Sequence, residues 1–343
     1  MDFAELAALA SGHAEARAIQ TALKLGIFDI LESAPLDDAA LAAAISANRR
    51  ATALIANAMV ALGLLAKRAN RYALTDTSRR YLLRSSAEYL GGLILFDEAI
   101  FETWTHLEQT IRTGVPARPT DMFQSRPEET ERFIRAMDSL TRARGDATYV
   151  ADRLDLSRFS MVADIGGGPG TYAVAMLHRW PHLRAAIYDL PATLEVARRI
   201  LAEREPAALA RIDMVRVDYL YDEIPGPCGA LFMSNIIHNE DEMANAQLFR
   251  KCFRALEPGG MMIIKDHIMN ADLTEPRAGA IFALYLLLAT RGRDYSFEEV
   301  SRWLGDAGFV DINHQALPSP PFTSSMVIAR KPRTIEKVGK AKK

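Results

Sequence analysis

A change of texture at Phe159 constrains the fold more than any other feature. Beyond it, short apolar runs alternate with longer amphipathic helical patterns. Met161–Ile165, Ala185–Tyr188, Asp213–Val217, Ala230–Met233 and Met261–Lys265 each have the length and composition of a buried strand. Parallel neighbours need a crossover, so buried strands separated by helices imply βαβ units. The sequence thus predicts an α/β domain over residues 151–332, a doubly wound and mostly parallel Rossmann-like sheet. Pro225–Cys228 interrupts the alternation as a loop, and Ser324–Ala329 reads as an edge strand.

The first ninety residues follow another pattern. Leu23, Ile27, Ile30 and Leu31 recur at helical spacing, with Gly26 as a break. Pro35 ends that segment, and Asp37 is placed to cap a short helix holding Leu41 and Ile45. A third helix runs through Ala53-Leu54-Ile55 to Leu62 and stops at Gly63. Leu64-Leu65, a polar turn at Arg68–Arg71 and Tyr72-Ala73-Leu74 add a strand pair. Three helices and a strand pair predict an all-α winged-helix domain over residues 1–90. Residues 91–150 read as connecting helices that carry Phe96, Phe101, Trp104, Phe133 and Met137. Residues 333–343 read as a basic, solvated and disordered tail.

A length of 343 residues fits two domains. A winged helix raises the possibility of a DNA-binding regulator. However, net charge is −2, and after Arg49 and Arg50 the third helix turns to Ala, Leu, Ile and Met, leaving no basic stripe for phosphates. Two cysteines, Cys228 and Cys252, are too few for a disulfide framework and too irregularly placed for zinc, so no metal is expected. The opening MDFAELAALASG carries Asp2 and Glu5 and lacks the positive n-region of a signal peptide. The longest apolar stretch, Ile281–Ala289, falls short of the roughly 20 residues that span a bilayer. The expectation is a cytoplasmic protein with neither nucleic-acid nor membrane partners.

The strongest local motif is Val162-Ala163-Asp164-Ile165-Gly166-Gly167-Gly168-Pro169-Gly170, an apolar strand running into a glycine turn before a helical pattern. Open α/β sheets bind ligands at such strand ends. Gly168-Pro169-Gly170-Thr171-Tyr172-Ala173 fits a dinucleotide fingerprint literally. The pattern D-x-G-x-G-x-G from Asp164 through Gly166, Gly168 and Gly170 fits better. It sets an acid where a pyrophosphate would be repelled and a cationic amino-acid moiety welcomed, which favours S-adenosylmethionine over NAD. Asp189, followed by Leu190, ends the second strand and is placed to accept ribose hydroxyls. Asp218 ends the third and is placed to accept from adenine, with Tyr219 beside the ring.

These residues, in this order, resemble the S-adenosylmethionine-dependent O-methyltransferases of the plant caffeate and bacterial polyketide-tailoring type. The resemblance runs through Leu25-Gly26-Ile27-Phe28-Asp29, the glycine loop, Tyr188-Asp189-Leu190-Pro191, Ser234-Asn235-Ile236-Ile237-His238, Gly259-Gly260 and Ala307-Gly308-Phe309. It implies a winged-helix homodimer and a class I methyltransferase domain. Gly166, Asp189, Asp218 and Tyr219 match cofactor contacts, and Ser234 stands where plant members use Lys. His238 matches the catalytic base, Asp266 and Asp294 stand for two flanking glutamates, and Met137 matches a residue packed on the acceptor. Trp104, Phe133 and Asn239 join it as expected acceptor contacts. The family reads His-Asp-Trp where this chain has His238-Asn239-Glu240. That departure leaves room for altered chemistry on the same fold, such as hydroxylation, decarboxylation or C- or N-methylation. His267 is expected to be structural.

Overall fold

A computed structural model describes residues 1–318 and 324–333. Of the expected basic tail, only Arg333 falls within them. The chain divides into two compact units. One comprises Met1–Phe101 with Arg135–Arg144, and the other Glu102–Ile134 with the chain from Gly145 onward.

In the first unit the helices start where local chemistry places them. Asp2 accepts from the Glu5 amide, Asp37 from Ala40 and Asn48 from Ala51, opening the helices Phe3–Lys24, Asp38–Ala44 and Arg49–Ala61. These side-chain oxygens satisfy amides that the first helical turn leaves unpaired. Strands β1 (Leu36–Asp37), β2 (Leu65–Arg68) and β3 (Arg71–Leu74) form an antiparallel sheet in the order β1-β3-β2. Leu23, Ile27, Phe28, Leu31, Leu41, Met59, Leu65 and Tyr72 make its core. The two strands expected from sequence are joined by a third, β1, too short to show a period.

In the second unit β4 (Met161–Ile165), β5 (Arg184–Asp189), β6 (Ile212–Arg216), β7 (Cys228–Ser234) and β8 (Leu256–Asp266) pair in parallel. The short strands β9 (Ile268–Met269) and β10 (Tyr295–Ser296) pair with each other, apart from the main sheet. β11 (Val310–Ala316) and β12 (Ser325–Arg330) complete seven strands in the order β11-β12-β8-β7-β4-β5-β6. Both faces are buried. Val162, Ile187, Phe232 and Ile263 belong to one core, and their neighbours Ala163, Ala186, Leu231 and Ile264 to the other. That is the two-sided burial expected of a parallel sheet between helix layers.

One expectation needs correction. The strand expected as an edge, Ser324–Ala329, lies inside the sheet, antiparallel to both β8 and β11. The actual edge, β11, is mostly exposed and polar, so it shows no apolar run in the sequence.

β4 lies between β5 and β7, so the crossovers leave it in opposite directions and a crevice opens at the carboxyl ends of β4 and β7. The glycine turn follows β4, and His238 follows β7.

Candidate active site

The glycine turn is built as the crevice requires. Gly166 has φ +63°, and its amide donates to the Tyr188 carbonyl at 2.7 Å. A Cβ there would meet Ile236 Cδ1 at 2.2 Å, with Tyr219 Cε1 4.0 Å away. Gly168 has φ +53° and open space where a side chain would stand. Its amide donates to Asp189 Oδ2 at 2.9 Å, while Asp189 Oδ1 accepts from the Leu190 amide at 2.7 Å.

Two buried carboxylates converge on this turn. Asp164 is 2% exposed, and its Oδ2 has no hydrogen-bond partner among the described residues. Burial, reinforced by Asp189, pushes its pKa well above the usual carboxylate range. Burial raises Asp189 to about 6 despite its hydrogen bonds to Gly168, Leu190 and Thr193. Neither acid forms an ion pair among the described residues. An isolated anion is costly to bury, so Asp164, with Oδ2 unpartnered among the described residues, matches a ligand that brings its own positive charge.

The next predicted contacts lie around the same loops. Asp218 Oδ1 accepts from the Leu220 amide at 3.0 Å, and the Tyr219 hydroxyl donates to Glu240 Oε1 at 2.9 Å. Lys251 pins the loop by donating to the carbonyls of Tyr219, Leu220 and Asp222 at 3.0, 2.8 and 2.8 Å. Ser234, the last residue of β7, has its Oγ 3.3 Å from Asn235 Nδ2.

His238 sits in a single helical turn, Ile237–Asn239, just beyond β7. Its Nδ1 lies 2.6 Å from Asp266 Oδ1 and 3.9 Å from Asp294 Oδ1. The Asp294 oxygen is also 3.6 Å from His267 Nδ1. Asp266 is placed by the end of β8, and Asp294 by the segment leading into β10. Burial opposes a charge on His238, but the Asp266 charge, its hydrogen bond and Asp294 outweigh that and raise the pKa. Burial likewise opposes charge on Asp266, yet His238 and His267 hold it below its ordinary value. Burial wins at Asp294, which is raised. The stable state is therefore a carboxylate on Asp266 accepting from His238 Nδ1–H, which leaves Nε2 for chemistry.

His238 Nδ1 and one oxygen from each Asp lie within 4.8 Å of one another, compact enough for a cation. The 2.6 Å contact is of hydrogen-bond length, and a shared proton accounts for it.

Phe282 meets the edges of both histidines, at centroid distances of 5.3 Å from His238 and 5.4 Å from His267. It lines a cavity of about 610 Å³ with Trp104, Arg277, Ala278 and Ile281. Tyr285 extends this wall, its ring 5.9 Å from both Phe282 and Trp104. Of the expected acceptor contacts, Trp104 lines the cavity and Asn239 is beside His238, its Nδ2 3.2 Å from the Asn235 carbonyl. Phe133 stacks on Phe123 at 4.7 Å and packs with Ile134, Val196 and Ile200. Met137 belongs to the first unit. Sequence reasoning missed Phe282 and Tyr285. An aromatic pair three residues apart in an otherwise aliphatic helix was the available signal.

The O-methyltransferase domain pattern matches residues 104–310, and the O-methyltransferase dimerisation domain pattern matches residues 7–84. The chain belongs to the O-methyltransferase family. This O-methyltransferase is 29% identical over 322 residues to the 3-hydroxy-5-methyl-1-naphthoate 3-O-methyltransferase of Streptomyces sahachiroi, covering 91% of each chain. It is 30% identical over 333 residues to a tetracenomycin polyketide synthesis 8-O-methyl transferase of Streptomyces glaucescens, covering 92% of this chain and 93% of the relative. Its fold matches human N-acetylserotonin methyltransferase, solved in complex with S-adenosylmethionine, with a TM-score of 0.86 at 23% identity over 97% and 99% of the two chains. The O-methyltransferase depends on S-adenosylmethionine. No helix among the described residues is long and apolar enough to cross a membrane.

Proposed function

We propose that this O-methyltransferase methylates a hydroxyl of a small aromatic or polyketide-like acceptor, with His238 as general base. The observation that carries the assignment is the 2.6 Å contact between His238 Nδ1 and Asp266, which leaves Nε2 to take a proton. When bound, S-adenosylmethionine supplies a methyl group already activated as an electrophile. Gly166, Gly168, Asp164 and Asp189 would hold it, with Leu190, Asp218, Tyr219 and Ser234 around the nucleoside.

The chain's own residues then have three tasks. Phe282, Trp104 and Ile281 offer an apolar wall for a flat acceptor. His238 Nε2 accepts the hydroxyl proton. A phenol titrates at about 10, so without a base little of it is ionised at neutral pH. Such assistance contributes roughly 10²–10⁴-fold. Asp266 fixes the ring tautomer and stabilises the imidazolium that forms, with Asp294 adding negative potential from 3.9 Å. Phe133 and Asn239 are the remaining proposed acceptor contacts.

The dimerisation-domain match over residues 7–84 supports a homodimer built through a winged-helix domain of residues 1–90. Two free, buried cysteines fit a reducing cytoplasm.

Calorimetric titration with S-adenosylmethionine and its demethylated product, with NAD as control, tests the cofactor. Micromolar binding that Asp189→Ala abolishes is expected, followed by methyl transfer to naphthol or hydroxynaphthoate acceptors. Preference for NAD, or transfer that persists at full rate in His238→Ala, would overturn the assignment.

A further inference from the structure

Glu240 lies at the junction of two parts that the proposed reaction needs. Its backbone closes the turn bearing His238, and that backbone is held from three sides. The Glu240 carbonyl accepts from the Tyr295 hydroxyl at 2.6 Å and from Asn245 Nδ2 at 3.1 Å, and the same amide reaches the Ile237 carbonyl at 2.8 Å. Gly292 packs so closely that a Cβ there would come within 2.6 Å of the Glu240 amide nitrogen.

The side chain leaves this fixed point and reaches the other side of the crevice. It is 8% exposed, and its Oε1 receives the Tyr219 hydroxyl at 2.9 Å. Tyr219 borders the glycine turn, its Cε1 4.0 Å from where a Gly166 side chain would begin. Tyr219 is tied at both ends, since Lys251 holds its backbone carbonyl and Glu240 holds its hydroxyl.

We propose that Glu240 is a positioning residue, which acts through Tyr219 to fix one wall of the cofactor slot against the turn that carries His238. The inference rests on the cofactor placement given under Proposed function. Burial and the neighbouring carboxylate both favour the protonated phenol, so Tyr219 remains a donor across the working pH range. A ring held by its hydroxyl has one orientation, and binding then need not order it.

The test is calorimetric titration of S-adenosylmethionine into the full chain and four variants: Tyr219→Phe, Glu240→Leu, Glu240→Gln and the Tyr219→Phe/Glu240→Leu double variant. Losing one buried hydrogen bond should weaken binding about five- to tenfold in Tyr219→Phe and in Glu240→Leu. The double variant should be no weaker than either single one, because both remove the same bond. Glu240→Gln keeps an acceptor oxygen at the same reach and should restore most of the affinity. In steady state, KM for S-adenosylmethionine should rise while kcat stays within about threefold. Wild-type binding with unchanged affinity in Tyr219→Phe, or losses that add in the double variant, would overturn the role of Glu240. Absence of wild-type binding would instead overturn the cofactor placement, and this inference with it. Should Glu240→Leu fail to fold, Tyr219→Phe and Glu240→Gln decide the matter.

Discussion

His238 has to be neutral to accept a proton and charged to have done so, and its neighbours bias it toward the charged form. The Asp266 contact raises its pKa above the ordinary 6.5 against the effect of burial. Below that raised pKa the ring is already protonated and cannot act. The acid limb of a kcat/KM profile should therefore fall at a pH above 6.5. Asp266→Asn removes the charge that holds the proton, so the limb should move to lower pH while the plateau drops at least about tenfold. A limb that stays in place would show that another group titrates. His238→Ala should lower kcat by at least about tenfold and leave the calorimetric affinity for S-adenosylmethionine nearly unchanged. The sequence made His238, Asp266 and Asp294 legible because two mark the ends of apolar strands or their adjoining turns and all three lie within the resemblance. It did not reveal that Asp294 is shared with His267, because side chains at 267 and 294 meet only through the pairing of β9 with β10.

At the scale of elements, the strand-turn-helix unit around Asp164 was readable because an apolar strand has nowhere to continue once three glycines follow it. Gly166→Ala tests that unit. A Cβ would need to displace Ile236 and occupy a left-handed backbone conformation, at a cost of about 1–2 kcal/mol. A lower thermal midpoint together with weaker S-adenosylmethionine binding is expected; a variant equal to wild type in both would show that the turn tolerates a side chain. Other elements were opaque. β11 has an exposed, polar residue at most positions and so carries no period. The helix Arg277–Ala289 is apolar nearly throughout, which hid the cavity-lining Phe282 among aliphatic neighbours. A fully buried ion pair was also invisible: Lys265 on β8 lies 3.1 Å from Asp146, which begins the helix Asp146–Arg153. Lys265 would lose its buried carboxylate partner, so Asp146→Ala should cost about 3–5 kcal/mol in chemical denaturation. A loss below about 1 kcal/mol would mean that water reaches the lysine.

For the whole molecule, the two family patterns assign dimerisation to residues 7–84 and chemistry to residues 104–310. An obligate homodimer would bury on the order of 2,000 Å² or more, and sedimentation should give twice the chain mass at micromolar concentration. A monomer there would overturn the dimer. The outer edge of the large sheet has a consequence of its own. β11 is irregular where it meets β12, with a register shift between Val310 and Asn313 and a positive φ at Asp311. Behind it lies β12, Ser-Met-Val-Ile-Ala-Arg, with Met326 and Val327 fully buried. A flat apolar strand at a sheet edge invites pairing with another molecule, whereas a twisted, polar one does not. β11 covers this apolar strand, so a chain in which β11 loosens from β12 is expected to aggregate, which light scattering during partial unfolding would register.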